Sequence, residues 1–341
     1  MPDLAIFQND HFKVATMTDV LNLVPYVPGR LRQLIRFNET NVYRPTVALE
    51  YRAGHLGVLK TYARGSGQGD IITPDKRSLR SFNIPHLPAR ATVMPDDLPD
   101  IRAFGTADGR VAVQQVVEDR MRQMRQDMEL TMERWTAGLL KGRILDSDNS
   151  VLLDLFAEYN VTPEEFEIDL SGSGSYTVRR MVAEITRYIQ DKLGASTYSY
   201  LHFLCGDQFY DNLVNSQELL TAYNRPGEGA FLRQLHVRDA VQFAGCVFEN
   251  YRGAVAGNDF VASDEAIPVP MGVPGLFKQY YGPADTMSAV GRPGQRFVVT
   301  RETMKHDTGL ELRGQTNTLM LVTRPSVLTT VKDTSTPISG P

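Results

Sequence analysis

The most regular pattern in the chain lies between residues 110 and 142. Val113, Val117, Met121, Met124, Met128, Met132, Trp135 and Leu139 recur at intervals of 4, 4, 3, 4, 4, 3 and 4, which places them on one face of an α-helix. About thirty residues at ~1.5 Å each give a helix about 45 Å long, more than an ordinary compact domain uses. A methionine-rich stripe of this kind packs a core. The segment therefore reads as a structural spine, with Arg120, Arg122, Asp127, Glu129, Glu133 and Arg134 around the stripe and Gly142 as its stop. A second helical stripe carries Val178, Met181, Val182, Ile185, Ile189 and Leu193, and ends at Gly194. A third helix is expected over 206–220.

Elsewhere the period changes from helical to alternating. Val47, Leu49 and Tyr51 oppose Thr46, Ala48 and Glu50, and Leu56, Val58 and Tyr62 follow a turn at 52–55. Two half-buried strands joined by that turn are expected, then a flexible Gly/Ser run at 65–69 and a third extended run through Leu79, Phe82 and Ile84. Short strands flank a turn at 146–150, and another strand is expected over 166–170. Residues 171–175 form a linker, and 200–205 a buried strand, so 175–283 reads as an α+β unit of its own. From residue 295 alternation resumes through Phe297 and Val299. It reaches a polar tip at Lys305, His306, Asp307 and Thr308, then returns through Leu319, Met320, Leu321 and Val322 as a long hairpin beside the spine. The first forty residues read as an extended arm with a short helix at 18–23, stopped by Pro25 and Pro28. The tail 334–341 is expected to be disordered.

Composition narrows the class. The 341 residues are 42% hydrophobic and 22% charged, a globular balance, with no apolar run near the roughly 18 to 20 residues of a spanning helix. The first ten residues carry acids where a signal peptide carries a basic run, so a chain made and kept in a cytoplasm is expected. Cys205 and Cys246 supply no disulfide framework and no zinc spacing, and read as buried small hydrophobes. The 36 basic and 40 acidic residues leave a net −4, which argues against a dedicated nucleic-acid binder. The 27 Gly and 19 Pro have no cofactor fingerprint to serve and so serve architecture.

The charge is unevenly placed. Between 44 and 90 there are eight basic residues, Arg44, Arg52, Lys60, Arg64, Lys76, Arg77, Arg80 and Arg90, against the three acids Glu50, Asp70 and Asp75. That segment is +5 and the remainder −9. A basic hairpin on an acidic body fits either a hairpin lying on another copy or one folded on its own domain with a solvated face.

Catalytic chemistry is not legible. HExxH, GxSxG and Walker patterns are missing, and Gly65, Gly67 and Gly69 lack the strand before and the helix after that a phosphate cradle needs. Asp146, Asp148 and Ser150 mimic the start of a calcium loop, but Val151 and Ala157 stand where its glycine and bidentate glutamate belong. A hairpin turn with local Asx hydrogen bonds is the better reading. The six histidines are scattered, and the adjacent Asp264 and Glu265 point apart in a strand. No catalytic residue, cofactor site or metal site is therefore assigned.

Six segments in order along nearly the whole chain carry a resemblance: NIPH at 83–86, RAFGT at 102–106, TMERWTAGLLKGRILDSDNSVLLDLF at 131–156, GCVFENYRG at 245–253, AIPVPMGVPGLFKQYYGPAD at 266–285 and QTNTLMLVTRP at 315–325. Through them the chain resembles the lambda-type major capsid protein E family of tailed bacteriophages. That resemblance implies the Hong Kong 97-type α+β capsid fold. Its parts would be an N-terminal arm at 1–41, an E-loop hairpin at 42–92 and a peripheral domain at 93–176 with its spine helix at 110–142. An axial domain would follow at 177–283, then return strands of the peripheral domain at 284–333 and the tail at 334–341.

The resemblance further implies self-assembly into hexamers and pentamers of an icosahedral shell around double-stranded DNA in the virion, with synthesis in the bacterial host cytoplasm and no membrane partner. A separate scaffolding protein, a decoration protein and a portal would be its partners; the arm before Val42 leaves no room for a fused scaffold. Arg44, Arg52, Lys60 and Arg64 are expected to meet acids on a neighbouring subunit. Lys305, His306, Asp307 and Thr308 are expected at a tip near a local three-fold. Covalent crosslinking through Lys60 or Lys76 is not expected in this branch. The rival readings are a cellular nanocompartment shell of the same fold and a cytoplasmic enzyme using residues such as Asp264, Glu265 and His236.

Overall fold

A computed structural model describes residues 29–52, 77–97, 107–171, 177–194, 196–224, 240–255 and 258–335. The expected helix at 18–23, the glycine run at 65–69, most of the linker at 171–175 and the end of the tail lie outside the described residues, as do Lys60, Arg64 and His236. The methionine stripe forms one helix, and Val117, Met121, Met124, Met128, Met132, Trp135 and Leu139 are all buried along it.

In chain order, α1 (Arg30–Leu34) and β1 (Asn38–Asn41) precede the pair β2 (Thr46–Arg52) and β3 (Arg77–Asn83), then β4 (His86–Val93) and the spine α2 (Ala107–Leu140). There follow β5 (Arg143–Leu145), β6 (Val151–Asp154), α3 (Leu155–Tyr159), β7 (Glu164–Ile168), α4 (Val178–Leu193), β8 (Tyr200–Cys205), α5 (Asp207–Val214) and α6 (Gln217–Asn224). The remaining strands are β9 (Val241–Phe243), β10 (Cys246–Asn250), β11 (Ala254–Val255), β12 (Asn258–Asp259), β13 (Glu265–Met271), β14 (Phe277–Tyr281), β15 (Val298–Thr303), β16 (Leu310–Val322) and β17 (Thr329–Asp333).

Two sheets share the spine. In the first, β16 pairs antiparallel with β4, β15 and β14, and β1 lies parallel to β14. Leu310, Leu312 and Leu319 of β16 and Val299 of β15 share one core with the spine stripe. The second sheet runs β7-β17-β13-β8-β10-β9. Its strand β8 is buried from Leu201 to Cys205 because both faces are covered. Leu204 belongs to the spine-side core, whereas Leu201, Phe203 and Cys205 pack with α4 and α5 on the other side. The spine ends where Gly142, at φ +79°, turns the chain; a Cβ there would run into the Phe156 ring, so this stop must be glycine.

Four expectations change. The partner of β2 is β3, with Arg52 opposite Arg77, so the strand expected at 56–62 is not what pairs with it. Register is decided by the cross-strand pair Val47 and Phe82, both buried, with Phe82 stacked on Tyr159 at 6.2 Å between ring centroids. The third helix is two, α5 and α6, broken at Asn215 and Ser216. The strand expected at 166–170 is β7, two residues earlier. Sheet membership also crosses the expected divisions: β14 joins the spine's sheet, while β7 and β17 join the second one. The chain passes between the layers three times because Phe277 and Tyr280 bury on the spine side and Val331 on the α4 side. Among the described residues, no helix is long and apolar enough to cross a membrane.

Candidate subunit-contact elements and the frame that holds them

The expected contact residues fall into two groups that the fold keeps apart. Arg44 is exposed in the connection between β1 and β2, and Arg52 ends β2, opposite Arg77. This pair of strands forms a ribbon outside both larger sheets. Lys305, His306 and Asp307 form a turn at the tip between β15 and β16, where His306 sits at φ +58° and Thr308 Oγ1 donates to the Lys305 carbonyl at 3.1 Å. Lys305, His306 and Thr308 are exposed. The tip adjoins Val93 at the end of β4, and the ribbon joins β4 at its start, His86. The groups therefore stand at opposite ends of an eight-residue strand, about 25 Å apart at ~3.3 Å per residue.

The five-residue helix α1 lies between the spine, β1, β10 and β14, and no pattern in the sequence announced it. Leu31 and Ile35 are buried under it. Arg30 Nε donates to Glu249 Oε1 at 2.5 Å and its Nη2 to Oε2 at 2.8 Å, tying the helix to β10. The Leu31 amide donates to Glu133 Oε1 on the spine at 2.7 Å, and the Tyr251 hydroxyl donates to the same oxygen at 3.1 Å. Arg32 Nη2 donates to Glu39 at 2.6 Å and to the Tyr281 hydroxyl at 2.9 Å, reaching β1 and β14. Gly29 precedes the helix because a Cβ at that position would run into the Glu133 carboxylate. Burial, with the Glu133 charge beside it, raises the Tyr251 hydroxyl above its ordinary range.

Two of the charged residues around the stripe are therefore interior. Glu133 is buried, and Glu129 lies under Arg125 and Arg296, whose nitrogens donate to its Oε1 at 3.0 and 3.3 Å. Both guanidiniums also stand 5.2 Å from the Phe297 ring centroid. Burial raises the Glu129 carboxyl, and the hydrogen bond from Arg125 opposes it. The 3.6-residue period marked the stripe but not its flanks, because the spine's C-terminal half is covered on more than one side.

Glu249 makes the frame sensitive to acid. Burial pushes its carboxyl upward, but hydrogen bonds from His202 at 2.8 Å and from Arg30 outweigh that and hold it at about 2, against an ordinary 4.5. The unfolded chain takes up this proton first. Stability from Glu249 is complete above about pH 4.5 and is lost as pH falls toward about 2. Urea midpoints measured across that window are expected to fall for the native chain and to fall less for Glu249→Gln; parallel curves would show that Glu249 does not set the slope.

The residues considered for acid–base work are held in ion pairs. Glu265 accepts from Lys141 at 2.7 Å, and Asp264 lies 3.7 Å from Lys332. The 146–150 turn closes by local bonds: Asp146 Oδ1 accepts from the Ser147 amide and Asp148 Oδ1 from the Ser150 amide. His202 is a satisfied core histidine on Glu249, and Cys205 and Cys246 are buried free thiols.

The comparisons with known proteins agree along the chain's length. A family described as "Phage major capsid protein E" matches residues 13–332. The major capsid protein of Pseudomonas phage KPP10 is 22% identical over 339 residues, covering 94% of this chain and 96% of its own length. That of Salmonella phage Felix O1 is 19% identical over 360 residues, covering 95% of this chain and 97% of its own. A prophage protein of E. coli CFT073, solved as a capsid protein, superposes with a TM-score of 0.56 at 12% identity, over 94% of this chain and 98% of its own. The α+β arrangement is the Hong Kong 97-type capsid fold. With the match running through both sheets and the spine between them, the chain belongs to the phage major capsid protein E family.

Proposed function

We propose that this major capsid protein assembles with copies of itself into pentamers and hexamers, and these into a closed icosahedral shell around double-stranded DNA. It is a structural protein of the phage head and not an enzyme. One observation carries the assembly reading. The strands β2 and β3 pair only with each other among the described residues, through seven residue pairs, and belong to the +5 segment of a chain that is otherwise −9. A basic ribbon outside both sheets has its complement on the acidic body of a neighbour.

In this reading residues 1–41 are the arm and 42–92 the E-loop ribbon. Residues 93–176 and 284–333 make up most of the peripheral domain, 177–283 most of the axial domain, and 334–341 the tail. Arg44, Arg52, Lys60 and Arg64 meet acids of the next subunit. Lys305, His306, Asp307 and Thr308 meet their equivalents near a local three-fold. A separate scaffolding protein, a decoration protein and a portal complete the head, and the chain is made in the host cytoplasm before entering the virion. The net −4 suits a wall that contains DNA without gripping it.

Many modest contacts repeated over a shell give stability while each remains weak enough to correct errors. Electron microscopy of the chain expressed with its neighbouring genes is expected to show closed shells of phage-head size. Small closed shells lacking DNA would favour a nanocompartment, and small soluble oligomers alone would overturn the assembly reading.

A further inference from the structure

The three most exposed large apolar side chains among the described residues are Met287 at 91%, Val290 at 74% and Tyr43 at 65%. They come from two distant segments joined at the root of the basic ribbon, where the Gly294 amide donates to the Val42 carbonyl at 2.9 Å. A Cβ on Gly294 would run into the carbonyl oxygens of Tyr281 and Gly282, so the approach is tight. The loop is pinned again where the Asp285 amide donates to Gln315 Oε1 at 3.1 Å and Asn317 Nδ2 donates to the Pro283 carbonyl at 2.5 Å. Val290 lies four residues from Gly294, within about 14 Å by chain length. Scattered exposed apolar side chains are ordinary. A tyrosine, a methionine and a valine on pinned backbone, with exposed Arg44 and Arg292 in the same two segments, have the make-up of an interface.

A complementary surface lies elsewhere on the molecule. A cleft of about 810 Å³ opens where the end of the spine meets β7, β12 and the start of β17. Leu140, Phe156, Phe260 and Leu328 give it apolar walls, and Glu164, Glu165 and Asp259 line it with negative charge. The cations that line it are already engaged: Lys141 with Glu265 at 2.7 Å, Arg143 with Asp154 at 2.8 Å and Arg134 with Asn149 at 2.9 Å. Those three lining carboxylates have no hydrogen-bond or ion-pair partner among the described residues. The outer edge of β7, which carries Glu164 and Glu165, is paired by no described strand.

We propose that Met287, Val290 and Tyr43 of one copy seat in this cleft of a second copy, with Arg44 and Arg292 meeting Glu164 and Glu165. The partner is a second copy of this chain, because the protrusion is apolar and cationic where the cleft is apolar and anionic. The two surfaces are different parts of one molecule, so the contact is head-to-tail, the kind that builds a ring where its rotation closes. The proposal rests on the self-assembly reading and gives it a specific contact.

The test is a Met287→Cys, Glu164→Cys double variant, oxidised with diamide and resolved on a denaturing, non-reducing gel; Cys205 and Cys246 are buried. A disulfide-linked ladder that reductant removes, absent from each single variant, is expected. Met287→Asp is expected to cut shell yield about tenfold with the subunit's unfolding midpoint unchanged. Closed shells from the double variant without a ladder, or native yield from Met287→Asp, would overturn the contact while leaving the assembly reading intact. If the native chain closes no shells, the assembly reading fails. The contact is then judged on the ladder from concentrated subunits, and its absence overturns it.

Discussion

The Arg52→Glu, Lys60→Glu double variant is expected to form no closed shells while accumulating as soluble, folded subunits. Each reversal removes two units of charge, so the 44–90 segment falls from +5 to +1. Where the native ribbon meets carboxylates, the variant sets like charges against each other. Such a juxtaposition costs several kcal/mol per contact, and a shell repeats the contact at every subunit, so a modest loss per copy becomes a complete loss of closure. Folding is spared because the ribbon is anchored at its root by Val47 and Phe82, which the variant leaves alone. Negative-stain microscopy with size-exclusion chromatography reads the outcome. Shells of native size and yield from this variant would remove the ribbon from the assembly contacts. Added salt offers a second check, since a contact between exposed charges weakens as the Debye length shortens.

Glu133→Ala is expected to produce the largest loss of subunit stability, about 2–4 kcal/mol. Its Oε1 accepts from the Leu31 amide and the Tyr251 hydroxyl, two donors from elements distant in sequence, and Gly29 leaves room for the carboxylate. Truncation strands both donors in the interior and opens a cavity against α1. Glu133→Gln retains an acceptor oxygen and should lose less than half as much. Urea unfolding of the assembly-deficient Arg52→Glu, Lys60→Glu background separates subunit stability from shell stability. A cost below about 0.5 kcal/mol for Glu133→Ala, the range of an ordinary surface substitution, would mean that α1 is not held through the spine.

Glu133 also marks the limit of sequence reading. It stands beside the methionine stripe, and a charged residue at such a position is exposed in most helices. It is buried because a helix more than 100 residues away in sequence covers that side of the spine and supplies the donors that make a buried carboxylate tolerable. Likewise, Gly54 in a local turn suggested that β2 would pair with residues just beyond it. The pairing with β3 follows from Val47 and Phe82 finding a common place against Tyr159.

By itself the sequence determined the local elements. The spine, α4, the buried strand β8, the β15–β16 hairpin with its polar tip and the glycine stops at 142 and 194 all follow from periods of 3.6 and 2 and from backbone sterics, which act over a few residues. The charge split between ribbon and body was legible for the same reason, since charge is counted without knowing the fold. Only the tertiary structure decided which strands share a sheet, that α1 ties three layers together through Arg30, Leu31 and Arg32, and where the apolar protrusion and the acidic cleft lie. Those features depend on which distant surfaces bury one another, and burial is a property of the assembled chain, not of any one segment.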